Sequence, residues 1–154
     1  MIQVDRLIVG ADLDRVFSCA SDVEQWPKWL EHYRWVRFLE READGGLVEM
    51  AARRPFGFFG YPTWWVSRMR IDRAAPAIHY RHVRGITRGM DVEWAFAASG
   101  TGVAVTVTHV WDGPAWPLVG AAAAGLVIGP VFIHSIAQRT LAGIARAAQG
   151  DARP

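Results

Sequence analysis

Thr63-Trp64-Trp65-Val66-Ser67-Arg68-Met69-Arg70-Ile71 divides cleanly when every second residue is taken together. One set is Trp65, Ser67, Met69 and Ile71, and the other is Trp64, Val66, Arg68 and Arg70. Successive side chains of a strand point to opposite sides of a sheet, so this is a half-buried strand. Its apolar face carries one hydroxyl, Ser67. A buried hydroxyl costs free energy unless something bonds to it. Either a neighbour satisfies Ser67 or a ligand does.

Similar alternation surrounds this strand. Residues 2–9, 33–42, 47–53, 77–84, 89–97 and 102–111 read as strands. Asp44-Gly45-Gly46, Ala74-Ala75-Pro76, 84–88 and Ser99-Gly100-Thr101-Gly102 read as turns between them. The connection 53–62 has an aromatic tip, Phe56, Phe58, Phe59 and Tyr61. After the first strand, Ala11 or Asp12 starts a short helix through Val16 and Phe17. Ser21 or Asp22 caps a second, and Trp26-Pro27 bends the chain. A long helix is expected from about Pro130 to Gln149, stopped by Gly150. Its apolar stripe is Ile133, Ile136, Ala137, Thr140, Leu141, Ile144, Ala147 and Ala148, with His134, Gln138, Arg139 and Arg146 largely off it.

A curved open sheet cannot bury its concave face alone, and a long amphipathic helix laid across it can. The expected fold is therefore α+β: a helix-grip arrangement of about seven antiparallel strands around a long C-terminal helix. Two short helices follow the first strand. Residues 1–154 read as one domain, with 151–154 a frayed tail.

Composition narrows the function. Half of the 154 residues are hydrophobic, which argues against disorder, and eight are Trp. Rigid aromatic walls suit a pocket for flat or greasy ligands. A net charge of +2 gives no argument for nucleic acid. Arg outnumbers the sole lysine, Lys28, a bias that points to high-GC bacterial coding. Cys19 is single, so no internal disulfide is expected. The N-terminus lacks a signal-peptide pattern, and a cytoplasmic location is the default. Residues 115–133 are uncharged but hold Pro117 and Pro130. They read as a short apolar helix broken at Gly129-Pro130 rather than a membrane span.

Simple hairpin pairing places sixteen side chains on the inward face. They are Trp65, Ser67, Met69, Ile71, Ile78, Tyr80, His82, Met90, Val92, Trp94, Phe96, Val103, Val105, Val107, His109 and Trp111. It also sets Ser67 opposite His82, His82 opposite Met90, and Met90 opposite His109. The polar groups then form one belt in an apolar concavity. Arg68, Arg70, Arg81, Asp91, Glu93, Thr106 and Thr108 make a solvated outer face. His79 and His82 point to opposite faces and cannot share a metal. No inward carboxylate or Cys joins His82 and His109, so no metal site and no Ser–His–Asp triad is expected. No phosphate loop or dinucleotide motif appears, so no cofactor is expected. Acid–base work by Tyr33, Ser67, His82 and His109 is what remains.

Several stretches resemble one known superfamily. They are Val16-Phe17, Asp22-Val23-Glu24-Gln25-Trp26-Pro27 with Tyr33 beyond, and Trp65-Val66-Ser67. His82-Val83 leading to Met90, Trp94 and Phe96 continues the pattern, and Thr140-Leu141-Ala142-Gly143-Ile144 closes it. The chain resembles the START/Bet v1-like (SRPBCC) superfamily, and within it the polyketide cyclase/dehydrase group that includes aromatase/cyclases. That resemblance implies a helix-grip fold with a deep cavity, in which a poly-β-ketone chain is folded, cyclised and dehydrated. It places Tyr33, Trp65 and Ser67 on pocket positions and Trp26 on a wall position. Two residues depart from the aromatase/cyclase pattern: Met69 and His82 both stand where that subgroup tends to have Arg. An Arg can stabilise a developing oxyanion, and Met cannot.

Two functions follow as expectations. The first is a polyketide cyclase, aromatase or dehydratase with Tyr33, Ser67, His82 and His109 as its catalytic groups. The second is a non-catalytic carrier or sensor of a lipid, quinone or aromatic metabolite. Either way the partner is a small hydrophobic molecule. Its expected contacts are Trp26, Trp29, Trp65, Met69, Tyr80, Met90, Trp94, Trp111, Ile133 and Ile136. Peripheral membrane or acyl-carrier contact, and a monomer or homodimer, complete the expectations.

Overall fold

The computed structural model describes residues 1–56, 59–113 and 130–150, with the side chains of 54–61 and 130–132 left aside. The elements are β1 (Ile2–Val9), α1 (Leu13–Ser21), a 3₁₀ turn (Val23–Gln25), α2 (Trp26–Trp29), β2 (Tyr33–Glu42), β3 (Gly45–Phe56), β4 (Phe59–Asp72), β5 (Ala77–Gly85), β6 (Asp91–Ser99), β7 (Gly102–Val110) and α3 (Pro130–Ala148). The strands form one antiparallel sheet in the order β1-β7-β6-β5-β4-β3-β2. This is the helix-grip fold expected from the alternation. The core lies in the cup between the concave face, α1, α2 and α3.

Local chemistry explains most boundaries. Asp12 is the N-cap of α1, and its carboxylate accepts from the Arg15 amide at 2.9 Å. Asp22 begins the 3₁₀ turn without a side-chain cap, and the Ser21 hydroxyl instead donates back to Phe17 O at 2.6 Å. Trp26-Pro27 does not bend the chain out of helix. Pro27 sits in the first turn of α2, where its missing N–H costs nothing. Gly150, at φ 80°, donates its amide to Ala147 O at 3.2 Å and ends α3 as expected.

Two connections are shorter than the sequence suggested. The β2–β3 loop is only Ala43-Asp44, because Glu42 pairs with Gly45. Gly45 and Gly46 belong to β3, where a Cβ on Gly45 would lie 2.1 Å from Met69 O. Pairing of β3 with β4 runs on through Arg53–Pro62, Arg54–Tyr61, Pro55–Gly60 and Phe56–Phe59. The expected connection 53–62 is thus mostly a hairpin extension, consistent with the strand preference of its aromatic residues.

α3 is described from Pro130, and the expected break at Gly129-Pro130 falls at the edge of the described residues. The proposed apolar helix over 115–129, the side chains of the aromatic tip and the 151–154 tail lie outside the described residues. Among the described residues no helix is long and apolar enough to cross a membrane.

Register decides what faces the cup. Ser67 pairs with His82, as expected. His82 in turn exchanges backbone hydrogen bonds across the β5–β6 turn, donating to Met90 O and accepting from Gly89 N, both at 2.9 Å. His109, however, pairs with Val92 rather than Met90. The β6–β7 hairpin is centred on Gly100-Thr101, because Ser99 pairs with Gly102 and Gly100 takes the positive φ of 57°; pairing Met90 with His109 would need a turn centred one residue earlier. A two-residue shift keeps every side chain on its face, so the inward set stands. It moves His109 into the adjacent row, with Tyr80, which also pairs with Val92. The outer-face charges are exposed as expected, and His79 faces Glu93 there at 3.4 Å.

Candidate functional site

A cavity of about 70 Å³ lies in the cup beneath the N-terminal half of α3. Its sheet wall comprises Met50, Trp65, Tyr80, His82, Met90, Val92, Trp94, Val107 and His109. Trp26 and Tyr33 close one side, Thr87 enters from the β5–β6 turn, and Ile133, Ile136, Ala137 and Thr140 form the helix side. Amphipathic spacing explains the helix contribution: the same stripe that packs Leu141, Ile144 and Ala148 into the core continues over the cavity.

Of the expected acid–base groups, Tyr33, His82 and His109 line this cavity, and Ser67 does not. Ser67 is fully buried, and its Oγ has no hydrogen-bond partner among the described residues. Trp26, Trp65, Tyr80, Met90, Trp94, Ile133 and Ile136 line the cavity, whereas Trp29, Met69 and Trp111 do not. Met69 is buried beside Tyr80, its partner across the sheet. Trp29 is partly buried against the core. Trp111 Nε1 donates to Arg88 O at 3.2 Å and so ties down the turn that carries Thr87.

His82 is held on two sides. Thr87 Oγ1 lies 2.6 Å from its Nδ1 in a buried pair. The Trp65 ring stacks parallel to the imidazole at 5.9 Å, with 11° between the planes. Tyr80 stands in the adjacent row with its hydroxyl buried and unpaired among the described residues. Burial, then the neighbouring Tyr33 phenol, raises its pKa well above 10, so it remains a hydrogen-bond donor.

Thr87 and His32 escaped the sequence reading, and Thr140, placed on the helix stripe, was not among the expected site residues. His32 Nε2 lies 3.0 Å from Thr140 Oγ1, and both residues are buried. Burial, and then the charge of Arg139, lowers the His32 pKa to about 4. Thr87 lies in a turn, where alternation gives no orientation. The adjacent pair His32-Tyr33 offered a signal: a polar residue preceding a strand beside Trp26 and Trp29.

One expectation about this face needs correction. The inward face of β1 does carry a carboxylate, Asp5, with only 2% of its surface exposed. It does not enter the cavity lining. Gln138 Nε2 donates to its Oδ1 at 3.0 Å, and His134 Nδ1 pairs with the same oxygen. Helix residues that lie off the apolar stripe thus clamp α3 to β1.

The likeness to known proteins follows the same lines. Residues 9–131 match the family model described as "Polyketide cyclase / dehydrase and lipid transport". A Streptomyces halstedii protein named "Putative polyketide cyclase" is 30% identical over 106 residues, covering 64% of this chain and 90% of that one. The crystal structure of TTHA0849 from Thermus thermophilus superposes with a TM-score of 0.83 at 17% identity, over 99% of this chain and 100% of that one. The Zhui aromatase/cyclase of a Streptomyces species superposes with a TM-score of 0.72 at 19% identity, over 99% and 93%. These structural likenesses speak for the fold, and the family match spans most of the chain, including the strands that build the cavity. The chain belongs to the polyketide cyclase / dehydrase and lipid transport family.

Proposed function

We propose that the protein binds an oxygenated polyketide-like or aromatic ligand in this cavity and promotes its cyclisation and dehydration by proton transfer through His82. The observation that carries this reading is the buried Tyr80 hydroxyl, unpaired among the described residues, in the wall that also holds His82 and its Thr87 partner. An unpaired donor buried at a cavity wall is costly unless an incoming group accepts from it.

The roles follow from position. With its ring held by Thr87 at Nδ1, His82 serves as the proton-transfer group. Tyr80 donates to a ketone oxygen and so acidifies the neighbouring C–H. His82 takes that proton, and the enolate carbon forms a bond to a second carbonyl carbon of the same chain. The imidazolium returns that proton to the resulting alkoxide; His82 then takes a second α-proton and delivers it to the departing hydroxide, which leaves as water. Tyr33 packs edge-on to Trp65 and Trp26, with centroids at 6.2 and 5.3 Å, and shapes the wall on which a flat product rests.

A space of about 70 Å³ is well under the roughly 150 Å³ that admits a benzene ring. Ligand entry therefore requires the walls to give. Met50 and Met90 suit that role, because unbranched thioether chains repack easily.

The test is turnover of a reactive poly-β-ketone chain, read as the distribution of cyclised products. The protein should shift the distribution away from the spontaneous mixture. His82→Gln should restore that mixture while retaining ligand affinity. A spontaneous mixture with the unaltered protein, alongside tight binding, would replace the enzyme by the carrier reading, which the mainly apolar lining also suits.

A further inference from the structure

The two His–Thr pairs lie at the ends of one aromatic wall. From His82 the ring centroids step 5.9 Å to Trp65, 6.2 Å to Tyr33 and 4.8 Å to His32. Thr87 pairs with the histidine at one end and Thr140 with the histidine at the other. Both threonines line the cavity, and both are nearly fully buried, at 1% and 2% exposure. One belongs to the β5–β6 turn and the other to the middle of α3.

We infer that Thr140, held by His32, is a second oxygen-binding anchor on the helix side of the cavity, across the aromatic wall from His82 and Thr87. The inference rests on the cavity being the ligand site, as proposed above. A threonine hydroxyl has one donor and two acceptor positions, so its bond to His32 leaves capacity for a ligand oxygen. The pairing fixes the hydroxyl rotor and presents a defined donor or acceptor. His32 remains neutral down to about pH 4, so the anchor is constant at neutral pH. A flat ligand held between these ends, along Trp65 and the edge-on Tyr33, would then satisfy both only if it carried oxygens on opposite edges. Thr140 becomes a specificity-determining residue, and His32 a positioning residue that acts through it.

Three probes separate this from a purely structural His–Thr lock: 2-naphthol, 2,3-dihydroxynaphthalene and 2,6-dihydroxynaphthalene. Binding is read by quenching of tryptophan fluorescence, with Trp26, Trp65 and Trp94 in the cavity wall as reporters. The 2,6-diol should bind about fivefold more tightly than the other two, the worth of one neutral hydrogen bond. Thr140→Val should abolish that margin, and Thr140→Ser should keep it. A lock with no ligand role would move stability and leave the ratio between probes unchanged. No margin in the unaltered protein, or a margin that survives Thr140→Val, overturns the anchor and leaves the cavity reading standing. Absence of binding by all three probes overturns the cavity reading, and the anchor with it.

Discussion

Replacing Ser67 by Ala should make the protein more stable and leave ligand binding unchanged. Ser67 sits at 0% exposure between Val48 and His82 on neighbouring strands, and its Oγ has no hydrogen-bond partner among the described residues. Leaving such a group unpaired costs about 1–3 kcal/mol. Deleting one oxygen leaves a void of roughly 10–15 Å³, which costs about 0.3 kcal/mol at the usual price of cavity volume. The net gain is on the order of 1 kcal/mol, or roughly 2–4 °C in Tm for a chain of this size. Thermal melting followed by circular dichroism measures the first quantity, and a tryptophan-quenching titration with a naphthol measures the second. A fall in Tm, or a loss of affinity beyond a factor of two, would refute the reasoning. Either result would mean that Ser67 has a partner or reaches the ligand.

Tyr80→Phe removes a second unpaired buried hydroxyl, with a different consequence. Stability should again rise by about 1 kcal/mol, but affinity for a ketone-bearing ligand should fall about fivefold, because Tyr80, unlike Ser67, belongs to the cavity wall. Equal affinity in a titration of the two proteins would remove Tyr80 from the binding account. Acid should weaken the fold through His32. Its pKa falls from 6.5 to about 4 on folding, so between those values the unfolded chain binds more protons. The stabilisation is therefore complete above about pH 6.5 and is lost as pH falls toward 4. Urea midpoints measured across that window should drop, and His32→Gln should flatten the slope; an equal slope in both proteins would refute this. Gly143→Ala should destabilise despite the better helix former. The new Cβ would lie 1.9 Å from Leu30 Cδ2, and Leu30 is only 1% exposed, so it has little room to yield. Overpacking costs about 1–3 kcal/mol against a propensity gain of about 1 kcal/mol, and a raised urea midpoint would contradict the packing seen there.

The fold was legible because period-two alternation and the stripe on α3 are dictated by burial itself. Trp65, Met69, Tyr80, Trp94 and Val105 could face inward only together, and a long helix was needed to cover them. Register was less legible, because it depends on loop length. A hairpin centred one residue earlier in Ser99-Gly100-Thr101-Gly102 is equally plausible by composition, and that one-residue change of centre moves His109 by one row. The site was legible where strands supplied it, as with Tyr80 and His82. It was hidden where turns and element ends did. Thr87 lies in a turn, His32 just before β2, and Asp5 in a strand whose partners on α3 lie far along the chain. Ser67 shows the converse: an inward position was correctly read, but depth within the core, which separates a core side chain from a cavity wall, is not encoded in alternation.

Backbone amide shift mapping by ¹H–¹⁵N NMR tests the central claim most directly. The label is read while 2,6-dihydroxynaphthalene is titrated in. The largest shifts should fall on Tyr33, Trp65, Tyr80, His82, Thr87 and Thr140, around the cavity. Trp35 and Trp64, the exposed indoles of the outer face, should remain still. Shifts confined to Trp35, Trp64 and their neighbours, with the cavity residues unmoved, would contradict the account.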